Sequence, residues 1–217
     1  MGYNGSLKNK KVLITCGPTW VPIDSVRVIS NTSSGELAHI IAKNLSHEQA
    51  KVTLLQGPVT HPFLCPRLKI ISFEYFDELA KLLTHELKKN HYDIVIHAAA
   101  VSDYQLKKAS PIKMSSHLKS LHLDLTPTQK LISKIKKISP KSFLVGFKLE
   151  TKTNKRNLLK KAQQLLKDAH CNLVIANILN KKSYKAYIVN KKGSMIAKAN
   201  SRKEIALKLT KTLKGQL

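Results

Sequence analysis

Carboxylates are scarce in this chain. Thirteen Asp and Glu stand against 38 Lys and Arg, a formal charge of +25 over 217 residues. Such an excess argues against a cationic ligand and favours anionic ones, from nucleotides to acidic surfaces. Most of the cations are Lys scattered over faces that read as solvated, so the charge by itself names no partner class. Cysteine is equally thin. Cys16, Cys65 and Cys171 show no C-x-x-C spacing, so neither a zinc site nor a redox pair is indicated. A sparse, odd count suits a reducing compartment, and a cytoplasmic location is expected. No apolar run approaches the length of a membrane span, and the polar stretch 1–10 lacks the apolar centre of a signal peptide. With only eight glycines there is no G-x-G-x-x-G fingerprint and no Walker loop. Aromatics make up 6% of the chain, few for a surface that stacks on bases.

What is present is an alternation of short apolar runs and amphipathic stretches. Lys11–Thr15, Lys51–Leu55, Leu68–Ser72 and Asp93–His97 read as buried strands, and Ser33–Ser46 and Tyr75–Asn90 carry helical spacing. Ser33 or Ser34 is the expected N-cap of the first helix. Further along, Leu121–Leu125 reads as a strand and Thr126–Ile138 as a helix with Pro127 in its first turn. Ser142–Phe147 is a strand, Asn154–His170 a helix and Asn172–Ala176 a strand. Tyr184–Asn190 and Ser194–Ala197 then form a hairpin, and Ser201–Leu213 closes the chain as a Ser-capped helix. The pattern predicts an α/β fold: a doubly wound, Rossmann-like, mostly parallel sheet with a C-terminal antiparallel hairpin. Residues 1–10 read as a loose lead-in, 11–217 as one domain, and about 104–119 as a mobile lid.

In such sheets ligands bind beyond the carboxyl ends of the strands. Two loops there carry suggestive residues. After the first strand come Gly17, Asp24, Arg27 and then Asn31-Thr-Ser33-Ser34-Gly35, which opens a helix. Free N–H groups at a helix start suit a phosphate, Gly35 permits close backbone approach, and Arg27 would clamp an anion. After the fourth strand, Ala98-Ala99-Ala100 leaves room for a ligand and Asp103 would hydrogen-bond it or help hold Mg²⁺ through water. His97 reads as a packed histidine. Lys113, in the polar stretch, would close over phosphates, and Phe143-Leu-Val-Gly-Phe147 would wall a pocket. Each of these alone also fits an ordinary strand, loop or solvated surface.

Taken in order, these segments resemble phosphopantothenoylcysteine synthetase, the ligase part often fused to a flavin-dependent decarboxylase. The resemblance rests on Gly17-Pro-Thr19, Pro22-Ile-Asp24, Val26-Arg27, Ile29-Ser-Asn31-Thr-Ser-Ser-Gly35, Ala98-Ala-Ala-Val-Ser-Asp103-Tyr104, Pro111-Ile-Lys113, Val145-Gly-Phe-Lys-Leu-Glu150-Thr151 and Leu173-Val-Ile-Ala-Asn177. It spans roughly residues 11 to 214. It implies activation of 4′-phosphopantothenate by CTP to an acyl-cytidylate, then coupling to cysteine. Mg²⁺ or a similar cation would assist, and no flavin is expected. It further implies a homodimer, here a stand-alone synthetase beside a separate decarboxylase. By the same resemblance Asn31 serves the acyl group and the cysteine step, and Arg27 binds the acyl intermediate. Ala99, Ala100 and Asp103 line the nucleotide, Lys113 is the lid lysine, and Phe143 sits by the cytosine. Gly17, Ser33, Ser34 and Gly35 complete the phosphate and substrate contacts.

The chain also departs from the family pattern. Pro18 and Val21 replace a Gly and a Glu. Lys130 stands where an acid is usual, Leu165 and Ala169 where bases are usual, and Ser115 and Ser116 where residues are often basic. These positions bear on the triphosphate, the metal and the choice of nucleotide. Two other readings compete. One is an NAD(P)-binding oxidoreductase, for which only a Tyr104-x-x-x-Lys108 spelling speaks. The other is a degenerate synthetase fold that binds nucleotides or nucleic acid without ligase activity.

Overall fold

The computed structural model describes residues 5–117, 119–180 and 183–216. β1 (Lys11–Cys16), β4 (Lys51–Gln56), β5 (Lys69–Ser72), β6 (Ile94–His97), β9 (Phe143–Glu150) and β10 (Leu173–Asn180) pair in parallel. β11 (Ser183–Asn190) and β12 (Met195–Ala199) add antiparallel at one edge, giving the order β12-β11-β10-β9-β6-β1-β4-β5. The antiparallel edge follows from sequence spacing, since β11 begins within three residues of the end of β10 and β12 within five of the end of β11, too near for a parallel crossover, whereas the parallel strands are joined by longer connections. Two small hairpins stand apart from this sheet: β2 (Trp20–Pro22) with β3 (Val28–Ser30), and β7 (Tyr104–Leu106) with β8 (Leu125–Pro127).

Helices cover both faces. α1 (Glu36–His47) and α5 (Arg202–Lys214) bury Ile41, Leu45, Ile205 and Leu209 against Ile14, Ile96 and Ile175. α2 (Phe76–Lys89), α3 (Leu131–Ile138) and α4 (Lys155–Asp168) bury Leu79, Leu83, Ile135 and Leu158 against Leu13, Val95 and Leu144. Adjacent residues Leu13 and Ile14 thus serve opposite cores, as strand alternation requires. Each buried leucine or isoleucine contributes about 1.5–3 kcal/mol through area removed from water. The starts of α4 and α5 are locked by side chains. Asn154 accepts from Asn157 N at 2.9 Å, and Ser201 accepts from Glu204 N at 3.1 Å.

Four expectations need correction. Gly35, with φ 70°, precedes α1 in place of a serine cap; Ser34 Oγ only accepts from Glu36 N at 3.4 Å. Of Leu121–Leu125, only Leu125 lies in a strand, and Pro127 ends β8 instead of opening a helix. A proline is tolerated there because the small hairpin leaves its nitrogen unneeded. The predicted lid begins as β7, so its first residues are pinned to β8; Leu118 lies outside the described residues. Finally, the lead-in is not loose where it is described. Leu7 is 1% exposed within the α1/α5 core, and residues 1–4 lie outside the described part.

The register sets the stage for function. Thr15 pairs with His97, and His97 with Gly146, so β1 and β6 end side by side next to β9, which runs on past them to Glu150. From β1 the chain winds to β4 and β5 on one side, and later strands fill the other. This switch point is where open α/β sheets bind ligands.

Candidate active site

The loops at the switch point are tied together by the backbone. Ala98 N donates to Thr15 O at 3.1 Å and Ala100 N to Gly17 O at 2.8 Å. Thr19 Oγ1 accepts from Ser102 N at 2.9 Å, and both residues are buried. Gly17 takes φ 78°, and a Cβ there would stand 2.9 Å from Val59 Cγ1 and 3.2 Å from Gly57, so only glycine fits without strain. Asn31 is held over the second loop by its amide, whose Nδ2 donates to Ala100 O at 3.1 Å and Val101 O at 3.3 Å. Below them His97 is buried and shares a 3.0 Å hydrogen bond with Thr15 Oγ1. Burial pushes its pKa down to about 4, so it is neutral at pH 7 and acts as a packed group.

These loops wall a cleft of about 840 Å³ along the carboxyl edge of the sheet, a size that suits a nucleotide or a similarly large ligand. Asn31, Ser33, Ser34 and Gly35 line one wall, Ala99, Ala100 and Asp103 another. The start of α3 and the inner side of α4 form the third, including Lys130, Lys161 and Leu165. Ala169, by contrast, is buried in the core and offers nothing to the cleft. Leu165 makes its part of the wall apolar, and Lys161 beside it is engaged with Glu150 at 2.6 Å.

Four predicted residues lie elsewhere. Gly17 shapes the loop from beneath and is not part of the lining. Phe143 begins β9 beside Ile94, at the opposite end of the strand from the cleft, where it packs on the core. Phe147, four residues on, lines the cleft in its place. Arg27 lies in the β2–β3 arm, and Lys113 in the β7–β8 connection that contacts it. Arg27 Nη1 donates to Asp24 Oδ2 at 2.8 Å and to Met114 O at 3.2 Å, and Met114 N donates to Asp24 Oδ2 at 3.1 Å. The N–H groups of Val26, Met114 and Arg27, with the Arg27 charge, hold the buried Asp24 carboxyl down at about 2. The lid segment is therefore seated on the arm, and Lys113 is exposed there.

The structure adds residues that sequence reasoning left without a role. Asn177 on β10 and Tyr184 on β11 border the cleft, and Asn177 Oδ1 and Tyr184 Oη are buried without a hydrogen-bond partner among the described residues. Burial pushes the Tyr184 hydroxyl up to about 12. Arg202 lies over the Tyr184 ring at 5.3 Å and pairs with Glu36 at 3.4 Å. Asn177 closes the motif Leu173-Val-Ile-Ala-Asn177, which was the available signal; Tyr184 and Arg202 had none. As for a metal, no group of three or more His, Cys, Asp and Glu able to hold one occurs among the described residues. The Asp103 carboxylate, the expected contributor, is taken by Lys130 at 2.5 Å. The residues present do not fit a protein-held divalent cation.

Residues 7–216 match the family described as the DNA/pantothenate metabolism flavoprotein C-terminal domain. The chain belongs to that family. Within it, the coenzyme A biosynthesis bifunctional protein CoaBC of Thermococcus kodakarensis is 38% identical over 174 residues, covering 80% of this chain and 42% of the relative. That of Methanocaldococcus jannaschii is 29% identical over 220 residues, covering 99% and 53%. The chain thus spans about half the length of the curated relatives it matches. A solved DNA/pantothenate metabolism flavoprotein from Streptococcus pneumoniae superposes with a TM-score of 0.85 at 28% identity, covering 96% of this chain and all of that one. The family's α/β architecture is therefore this chain's architecture, antiparallel edge included.

Proposed function

We propose that this chain is a phosphopantothenate–cysteine ligase of coenzyme A biosynthesis, using CTP. The observation that carries the reading is the cleft between Asn31–Gly35 and Ala99–Asp103, in a chain of this family. In the first step a carboxylate oxygen of 4′-phosphopantothenate attacks the α-phosphorus of CTP. The bond to the β-phosphate oxygen breaks, and pyrophosphate leaves. In the second, the neutral amine of cysteine attacks the acyl carbon, CMP leaves with the acyl oxygen, and the amine sheds a proton.

The geometry supports definite roles. Both Nδ2 hydrogens of Asn31 are spent on carbonyls, which leaves Oδ1 to accept from the incoming amine. The glycine-led start of α1 offers unpaired N–H groups to phosphate. Phe147 supplies an apolar wall for the cytosine, with Asn177 Oδ1 and Tyr184 Oη as waiting partners. The residues of the cleft provide no cage for Mg²⁺, so such an ion would arrive on the nucleotide's own phosphates.

The β2–β3 and β7–β8 hairpins expose Val26, Val28, Tyr104 and Leu125. A homodimer built on this arm would cover them. It would also give Arg27 and Lys113, which lie outside the cleft of their own chain, a cleft to serve across the interface. No helix among the described residues is long and apolar enough to cross a membrane, and we place the enzyme in the cytoplasm, where a phosphopantothenoylcysteine decarboxylase would take its product. The test is pyrophosphate release with 4′-phosphopantothenate, cysteine and Mg²⁺, comparing CTP with ATP. Release that requires phosphopantothenate and is strongest with CTP is expected. A folded protein releasing none with either nucleotide would remove the ligase reading.

A further inference from the structure

The cleft mouth holds an ion pair that the ligase reading does not use. Lys130 Nζ donates to Asp103 Oδ1 at 2.5 Å, with the two side chains 65% and 67% exposed. The backbone beneath them is fixed. Thr128 N donates to Asp103 O at 2.9 Å and Thr128 Oγ1 to Ser102 O at 2.6 Å, and Thr128 and Ser102 are both buried. The pair therefore sits at a set place on the cleft wall, although its charged ends are free to move.

Helix stability does not account for Lys130. It occupies the N-cap of α3, where Ser, Thr, Asp or Asn would satisfy the first N–H groups, and it places a cation at the positive end of the helix dipole. No side chain caps α3, and its first turn has no acid. Nor does a metal account for it. Asp103 has an ammonium where a divalent cation would have to sit, and no cluster of metal-binding side chains lies nearby among the described residues. The cleft lining as a whole leans cationic, with Lys130, Lys148, Lys161 and Arg202 facing Glu36, Asp103 and Asp168. Of these cations Lys161 and Lys148 share Glu150, and Arg202 is shared by Glu36 and the Tyr184 ring.

We propose that Lys130 is a phosphate-binding residue that replaces a protein-held divalent cation in this cleft. Without ligand its ammonium rests on Asp103. When a polyphosphate enters, it turns to a phosphate oxygen. An exposed pair is weakly held in water, so Asp103 gives it up readily. Lysine suits the exchange because it is a compact charge on a flexible stem. Asp103 then keeps the ammonium near the mouth and disfavours anions that cannot compete with a carboxylate. The cleft as a nucleotide site comes from the reading above, but the anion chemistry can be tested without it.

The experiment is calorimetric titration of inorganic tripolyphosphate into the whole chain, with EDTA present and at low salt. The variants are Lys130→Gln and, as a control of equal charge change on the same helix, Lys137→Gln. The expected result is metal-free binding that Lys130→Gln weakens about tenfold or more, the loss typical of a charge-assisted hydrogen bond, while Lys137→Gln changes it little. A second titration follows Mn²⁺ by electron paramagnetic resonance with no nucleotide present. The native chain should show no ordered Mn²⁺ site, whereas Lys130→Asp, which sets two carboxylates side by side, should gain one. Equal losses in the two Gln variants would reduce the effect to general charge and overturn the proposal. So would undetectable tripolyphosphate binding, or Mn²⁺ binding by the native chain as tight as by Lys130→Asp. Neither titration contains phosphopantothenate, cysteine or CTP, so failure here leaves the pyrophosphate assay to judge the ligase reading separately.

Discussion

Replacing Asn177 with Val takes away a buried amide oxygen that has no partner among the described residues. Asn177 is 7% exposed and lies in the middle of β10, between Leu149 and Ala186 on the flanking strands. A buried acceptor left unpaired costs the free protein about 1–3 kcal/mol. Valine is a good strand residue and brings no polar atom. The substitution should therefore leave stability unchanged or raise it by about 1 kcal/mol, which is about 2–4 °C in Tm for a chain of this size. Binding should suffer in the opposite sense. A ligand that donates to Oδ1 gains a hydrogen bond worth about 0.5–1.5 kcal/mol net, so its loss raises Kd or KM about two- to tenfold. Thermal melts with and without CTP, together with steady-state kinetics, measure both sides. The bound form should lose the extra stabilisation that the free form gains. A lower Tm combined with unchanged nucleotide affinity would refute the reasoning, since it would mean that the amide serves the fold and not the ligand.

Three further outcomes are expected. His97 has its pKa depressed from 6.5 to about 4 by burial, so its contribution is complete above about pH 6.5 and is lost as pH falls toward 4. That loss is on the order of 3 kcal/mol, and denaturant melts between pH 7 and 4 should show it, with His97→Gln flattening the slope. Asn31→Asp would set a carboxylate against the carbonyls of Ala100 and Val101; acyl-cytidylate formation should survive while coupling to cysteine slows, seen as pyrophosphate release without matching product. Lys113→Ala should lower kcat if the lid segment leaves the arm to cover the phosphates, and unchanged kcat and nucleotide KM would retire that role.

Much of this protein was written in local pattern. The apolar runs at Lys11–Thr15, Lys51–Leu55 and Asp93–His97 read as strands buried on both faces, and the leucine and isoleucine spacing of α1, α2 and α4 follows the helical period of 3.6. Alternation of the two already implied a parallel sheet with a ligand-binding carboxyl edge, and so the loops that carry Asn31, Gly35, Ala99 and Asp103, and that here line the cleft, were legible without coordinates. The short hairpins β2–β3 and β7–β8 were not legible. Their three-residue strands have no periodicity to read, and Pro127 favours a helix start as readily as a strand end. Position along a strand was equally hidden: Phe143 and Phe147 look alike in sequence, and only register places one at the far end and the other in the cleft. The same holds for long-range meetings. Composition supplied the lysines and the scarce acids, but whether Lys130 faces solvent or Asp103 depends on loops 27 residues apart, and the seat of Arg27 on the Met114 carbonyl joins segments 87 residues apart. Local periodicity is decided by neighbours in the chain, whereas a site is decided by which strand ends the packed sheet sets side by side.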